Sequence, residues 1–295
     1  MKKKKKSKAD LAFVIMNTVI LALFCLLTLY PILNTLAVSL NDGMDAVRGG
    51  IHLIPRKFTL QNFYTVVTKD NMVTAIKISV LRTVIATFLH MFVTALLAYV
   101  LSRKEFLFAK EVSLFYVLTM YVSGGLVPTM LLYKSLGLTN TFWVYIIPGM
   151  ISAFNMIVIR TFMNGLPDSF VESAQVDGAG HLKIFFRIVL PLCKPVMATV
   201  ALFIAVGQWN SWFDAMLYNI NRPDLTTLQY ELMKLLSSVS QLQGSASLMK
   251  HAATQVTPVS IRSATAIFTA LPIVCLYPFL QRYFISGMMI GGVKE

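Results

Sequence analysis

The chain has 295 residues, of which 56% are hydrophobic and only 13% charged. A soluble domain of this size carries about a quarter charged residues, so the composition excludes an ordinary soluble enzyme and points to a membrane. The net charge of +13 does not indicate nucleic acid, because six of the 26 basic residues are Lys2–Lys6 and Lys8, a basic flank directly ahead of an apolar run. Such a flank meets anionic lipid and holds the N-terminus in the cytoplasm.

Six runs of 19 residues or more contain no Asp, Glu, Lys or Arg: Leu11–Asn41, Thr83–Ser102, Val112–Tyr133, Ser135–Ile159, Pro195–Phe213 and Ser263–Gln281. A charge in hydrocarbon costs at least about 2.5 kcal/mol, and a spanning helix needs about 20 apolar residues. The expected fold is therefore all-α, with six transmembrane helices in residues 11–295 behind a basic cytoplasmic tail of residues 1–10. The first span is expected to end near Pro31, with an outer segment Asn41–Asp70 broken at Gly49–Gly50 and Pro55. The second begins between Ile76 and Thr83 and ends at Ser102–Arg103–Lys104. Gly124–Gly125 and Pro128 predict an interruption in the third run, and Pro148–Gly149 in the fourth. The polar stretch Lys134–Asn140 between these two runs reads as the turn of a helical hairpin. An inner loop spans residues 163–194, and a polar outer loop covers about residues 215–262. With six crossings both termini lie inside. The remaining basic residues, nine on the inner side and eleven on the outer, do not fix the orientation further.

Cys25, Cys193 and Cys275 are far apart and show no disulfide or metal spacing. There is no phosphate-binding Gly-rich loop and no catalytic motif, so no cofactor is expected in this chain.

The inner loop is the most informative segment. Pro167 breaks a helix arriving from the fourth run. Ser169 and Glu172 form an S-x-x-E pattern that predicts a capping box opening a short helix. Gly178 and Gly180 predict its stop and a sharp turn. A second amphipathic helix, Leu182–Leu190, follows, with Pro191 expected to end it. On the residues alone, a docking element and an interfacial helix pair packed on the bilayer are both open readings.

The loop resembles the EAA loop of ABC-importer permeases, whose pattern is Glu-Ala-Ala, three residues, Gly, nine residues and Ile-x-Leu-Pro. Here Glu172-Ser173-Ala174, Gly178, Ile188, Leu190 and Pro191 stand at that spacing, with Ser173 in place of the first Ala. Asp177-Gly178-Ala179 is similar to the sugar-importer form. Ala95–Arg103 and Gln281–Gly287 resemble the corresponding segments of maltose-type second permeases, and Gly125–Thr129 with Trp209–Phe213 resembles the polysaccharide and oligosaccharide branch. The resemblance implies a bacterial cytoplasmic-membrane permease with a cytoplasmic coupling helix. The implied partners are a second permease, an ATPase dimer that binds ATP and Mg, and an extracellular or periplasmic solute-binding protein. It assigns ATPase coupling to Glu172, Ser173, Ala174, Asp177, Gly178 and Ala179.

Substrate candidates lie toward the outer side. Trp209, Asn210, Trp212, Phe213 and Asp214 combine aromatic faces with polar groups, suited to a saccharide or to an interface belt. Arg82 stands near the outer edge of the second run, where it can hold a uronate carboxylate or snorkel to headgroups. Asn155 in the fourth run can face the path or bond a neighbouring helix. Two alternatives remain: an importer permease for another solute, against which Asp177-Gly178-Ala179 and the tail argue, and a six-span membrane enzyme, against which the lack of clustered intramembrane Asp, His or Glu argues.

Overall fold

A computed structural model describes residues 8–68, 71–243 and 256–289. Lys2–Lys6 fall outside the described residues, as do the side chains of Gln281–Gly287. The described chain is helical, in the order α1 (Lys8–Ser39), α2 (Gly43–Val47), α3 (Gln61–Thr68), α4 (Met72–Ser102), α5 (Ala109–Leu118), α6 (Leu126–Ser135), a 3-10 turn at Phe142–Tyr145, α7 (Ala153–Asn164), α8 (Ser169–Val176), α9 (His181–Ile184), a π turn at Phe185–Val189, α10 (Leu190–Leu192), α11 (Lys194–Asn210), α12 (Phe213–Tyr218), a 3-10 turn at Pro223–Leu225, α13 (Leu228–Gln243) and α14 (Pro258–Met289). The described residues fall into two compact units, one drawn from residues 1–69 and 236–271 and the other from 70–235 and 272–295.

Among the described residues, Lys8–Ser39, Met72–Ser102 and Pro258–Leu276 are each long and apolar enough to cross a bilayer. The helices His181–Leu192 and Lys194–Asn210 pass the same test together but meet at an 84° bend. The other two apolar runs are broken. The third divides at Gly124–Gly125 into α5 and α6, with Gly125 at φ +84°. The fourth contains only the 3-10 turn and α7, so the expected hairpin of two continuous helices is not formed. Pro148 and Gly149 lie in its non-helical middle, where a proline removes a backbone donor.

In the first unit, α1 passes through Pro31 and continues to Ser39, beyond the end expected from the proline. A helix interior tolerates proline in an apolar setting; one turn further on, the Thr35 hydroxyl donates to the Pro31 carbonyl at 2.7 Å. Most of the α1 surface is apolar and exposed, a composition suited to lipid. The segment after it is held by polar bonds. Asp42 caps α2 by accepting from the Asp45 N–H at 3.0 Å. The Asp45 carboxylate accepts from Arg56 Nε at 2.9 Å and from Asn41 Nδ2 at 3.0 Å. Buried Asn62 donates to the carbonyls of Ser39 and Asn41.

The second unit is built on α4, which packs chiefly against α11 and α7. Ala86, Ala95 and Ala98 are fully buried, and such small side chains let helices approach closely. One face of α4 carries Ser79, Arg82, Ala86, His90 and Thr94, spaced so that they line up along the helix. All five are buried. The polar members hold backbone groups elsewhere that lack a partner within a helix. Ser79 Oγ accepts from the Leu228 N–H at 2.8 Å. His90 Nε2 lies 2.8 Å from the Ile146 carbonyl and Thr94 Oγ1 donates to the Met150 carbonyl at 3.4 Å. These last two bonds serve the broken stretch around Pro148 and Gly149, whose carbonyls have no helical partner. A Cβ at Gly149 would lie 3.4 Å from the His90 ring, so the backbone approaches closely there.

The described part of the polar segment after α12 carries an apolar stripe that its composition hides. Leu228, Leu232 and Leu235 are buried at helical spacing on one face of α13.

His90→Leu keeps the volume but removes the donor to Ile146. The expected loss of stability is about 1–3 kcal/mol, measured by denaturation of the detergent-solubilised protein; His90→Gln should recover part of it.

Candidate functional site

The inner loop forms a short helix and a tight turn, and the way the helix starts differs from the capping box. Asp168, not Ser169, is the N-cap residue, and no side chain caps α8. The backbone explains the difference. Phe170 N–H donates to Pro167, while the N–H groups of Val171 and Glu172 donate to the Asp168 carbonyl, at 2.9–3.3 Å. The first-turn donors are thus taken, and the Asp168 carboxylate is free to accept from Lys104 Nζ at 2.6 Å. At the other end, Gly178 N–H donates to Gln175 and Ala179 N–H to Ala174, both at 2.9 Å, with Gly178 at φ +76°. This is a Schellman motif, in which glycine supplies the left-handed residue. Beyond it the chain is helical from His181 through Pro191 to Leu192 and turns only at Cys193. Pro191 does not end the helix, because it sits in the first turn of α10, where the α-type ladder resumes after the π turn.

Burial sorts the six coupling candidates. Glu172, Ser173, Asp177 and Gly178 are exposed, Ala174 is buried, and Ala179 packs against the core beside it. Val171 and Ala174 form the inward face of α8, in the same cluster as Tyr99, Leu101, Ile184 and Phe185. A Cβ at Gly178 would meet nothing within 4 Å, so the turn projects into open space. Val176 is 88% exposed at the tip, an apolar side chain that the motif alone did not single out.

The loop is strapped to the end of α4. Besides Lys104–Asp168, Glu105 accepts from Gln175 Nε2 at 3.2 Å and lies 3.7 Å from His181 Nε2. Tyr99 OH lies 3.5 Å from His181 Nδ1, and its ring meets Phe185 at 5.2 Å. Both limbs of the loop are therefore bound to the residues just before and after the C-terminus of α4.

A second constellation joins two of the substrate candidates to each other. Arg82 is 2% exposed, and its guanidinium forks onto the Asp214 carboxylate, Nη1 to Oδ1 at 3.0 Å and Nη2 to Oδ2. Its Nε donates to Gln208 Oε1 at 2.6 Å, and its Cζ lies 4.6 Å from the Tyr145 ring centroid. Arg82 therefore does not reach toward headgroups. Gln208, one position before the aromatic cluster, and Tyr145 complete the group; neither stood out from its apolar run. Trp212 and Phe213 directly precede Asp214, with their rings 5.8 Å apart, and Phe213 is exposed. Trp209 is part-buried on α11, while Asn210 is exposed and donates to the Val206 carbonyl of its own helix. Asn155 is buried in the first turn of α7, where its N–H donates to the Ser152 hydroxyl, outside the Arg82 group.

The sequence model of the binding-protein-dependent transport system inner membrane components matches residues 92–290. The chain is 36% identical to the polygalacturonan/rhamnogalacturonan transport system permease protein YtcP of Bacillus subtilis, over 93% of this chain and 95% of that one. It is likewise 36% identical to protein LplC of Bacillus subtilis, over 98% and 97%. Among solved structures, a chain of a bacterial ABC transporter involved in the import of the acidic polysaccharide alginate superposes with a TM-score of 0.84 at 26% identity, covering 96% of this chain and all of that one.

The hydrogen bond and charge of Lys104 hold the Asp168 carboxyl below its ordinary 3.8, and Asp168 in turn raises the Lys104 ammonium above 10.5. The Asp168 contribution to holding α8 is thus full above pH 3.8 and fades as pH falls through the depressed value; that of Lys104 is full below 10.5 and fades as pH rises through the raised one. A spin label at Ser173 should be least mobile between these limits. Asp168→Asn should raise its mobility at neutral pH and remove the acid-side change.

Proposed function

The chain belongs to the binding-protein-dependent transport system inner membrane components, and from that premise we propose that it is one of two permease subunits of an ABC importer for uronate-containing oligo- or polysaccharide. The polygalacturonan/rhamnogalacturonan relative and the alginate importer support the substrate class. In this reading the chain crosses the cytoplasmic membrane six times with both termini inside, two of the crossings being the broken stretches α5–α6 and the 3-10 turn with α7. It pairs with a second permease, receives its sugar from a solute-binding protein and has no chemistry of its own; ATP and Mg belong to a separate ATPase dimer.

The observation that carries the coupling role is α8 itself, a two-turn helix whose outer face, Glu172, Ser173, Asp177 and Gly178, is exposed while its inner face is packed and its ends are strapped to α4. A loop that only joined two helices needs no such construction. Glu172, Ser173, Asp177 and Gly178 form the ATPase-docking face; Ala174 and Ala179 hold that face against the core. ATP-driven closure of the ATPase dimer moves α8, and the straps carry the motion into α4, a rigid-body switch between inward and outward access. Trp209, Asn210, Trp212, Asp214 and Arg82 serve the outer part of the path, and Asn155 lines it further along.

Gly178→Asp tests the coupling role. Aspartate tolerates the left-handed conformation better than most residues, so the turn persists while a bulky anion is added to the docking face. ATP-driven saccharide uptake should fall to background with the membrane-inserted amount unchanged. Uptake at the wild-type rate would contradict the assignment.

A further inference from the structure

Three features of the Arg82 group, taken together, exceed what a static packing contact requires. The guanidinium is almost wholly buried, yet its counter-ion is not: the Asp214 side chain is 21% exposed. Arg82 is also held by groups that lie outside α12. Gln208 is on α11 and Tyr145 in the 3-10 turn, so Nε and one face of the guanidinium are satisfied without α12. Asp214, finally, stands on a separate short helix. The chain leaves the helical path at Ser211, with φ −76° and ψ 127°, and at Trp212, with φ −125° and ψ −28°, before α12 begins at Phe213. Lifting the carboxylate off the fork takes a turn of backbone at these two residues, which also parts Asp214 Oδ1 from the Ser211 hydroxyl, 3.0 Å away, and Ala215 from its packing on the Tyr145 turn.

We propose that the Arg82–Asp214 pair is an anion-exchangeable latch, in which the carboxylate of an acidic saccharide takes the place of Asp214 on the Arg82 fork as α12 swings away. The physical reason is the cost of a buried guanidinium with no counter-ion. α12 stays down until another carboxylate arrives to replace Asp214, and a neutral sugar cannot do so. A planar fork takes either carboxylate in the same two-bonded geometry. The exposed Phe213 ring and the Trp212 ring next to it offer the incoming sugar an apolar face. The latch thus makes acidity of the cargo a condition for opening, and Arg82 and Asp214 determine specificity as a pair. The inference rests on the proposed saccharide function and deepens it.

The test uses the complete importer, with partner permease, ATPase and solute-binding protein, in proteoliposomes. The probes are a galacturonate trimer and its fully methyl-esterified form, each supplied alone, with uptake expressed as the acid-to-ester ratio. In the double variant Arg82→Gln/Asp214→Asn a neutral hydrogen-bonded pair replaces the ionic one, so the helices keep a contact that no longer responds to charge. The ratio should fall roughly tenfold, the worth of one charge-assisted bond. A ratio within about twofold of wild type, whether both rates hold or both fall together, overturns the latch. Should the double variant not assemble, Asp214→Asn alone decides. With the competing carboxylate gone, half-maximal uptake of the acid should need less trimer while the ester is unaffected; an equal shift for both overturns the proposal. A wild-type complex that imports neither probe refutes the saccharide reading itself, which is distinct from import with an unchanged ratio.

Discussion

A buried guanidinium dictates much of the second unit. Arg82 projects from α4 about a third of the way along it and is 2% exposed, a position untenable for an unpaired charge. Its five N–H groups need acceptors, and those acceptors come from three other places in the chain: the Asp214 carboxylate, the Gln208 amide and the Ser211 carbonyl on one side, with the Tyr145 ring across its face. Satisfying Arg82 therefore fixes where α11 ends, where α12 begins and how the 3-10 turn approaches α4. The rest of the polar stripe works the same way at lower cost. Ser79 pairs with the first N–H of α13, and His90 and Thr94 with backbone that has left a helix, so that the start of α13 and the break at Pro148–Gly149 are stitched to one unbroken helix.

That helix also links the two functional ends. From Arg82 to Ser102 α4 runs without interruption, a length of about 30 Å at 1.5 Å per residue. One end meets Asp214, the proposed latch; the other leads into Lys104 and Glu105, which bind both limbs of the inner loop. A displacement of α8 by an ATPase is in this account transmitted as rigid movement of α4, with no need for a chain of soft contacts between the ends. The straps are an exposed ion pair and exposed polar contacts, individually weak. Their value lies in having several of them on a packed base of Val171, Ala174, Ile184 and Phe185.

How much of this the sequence reveals depends on the range of the interaction. Local rules read well. Gly124–Gly125 and Pro148–Gly149 mark real breaks, and Gly178 ends α8 in the left-handed conformation that glycine permits. The capping box at Ser169 and Glu172 failed although its pattern was present, because Pro167 and Asp168 carbonyls took the donors first and Lys104, 64 residues away, claimed the Asp168 carboxylate. Arg82 and Asp214 were each conspicuous, but their partnership spans 132 residues and nothing in either neighbourhood encodes it. Gln208 and Tyr145 were hidden inside apolar runs. The buried leucine stripe of α13 was hidden by its opposite, a polar average over an amphipathic helix.

The central claim is that the exposed tip of the inner loop is a docking surface for a separate ATPase subunit. A photo-reactive amino acid at position 176, where the native valine is 88% exposed, tests it directly in the intact membrane complex. The account predicts a covalent product between this chain and the ATPase that changes in yield when ATP is bound. Products with lipid or the second permease alone, at every nucleotide state, would contradict it.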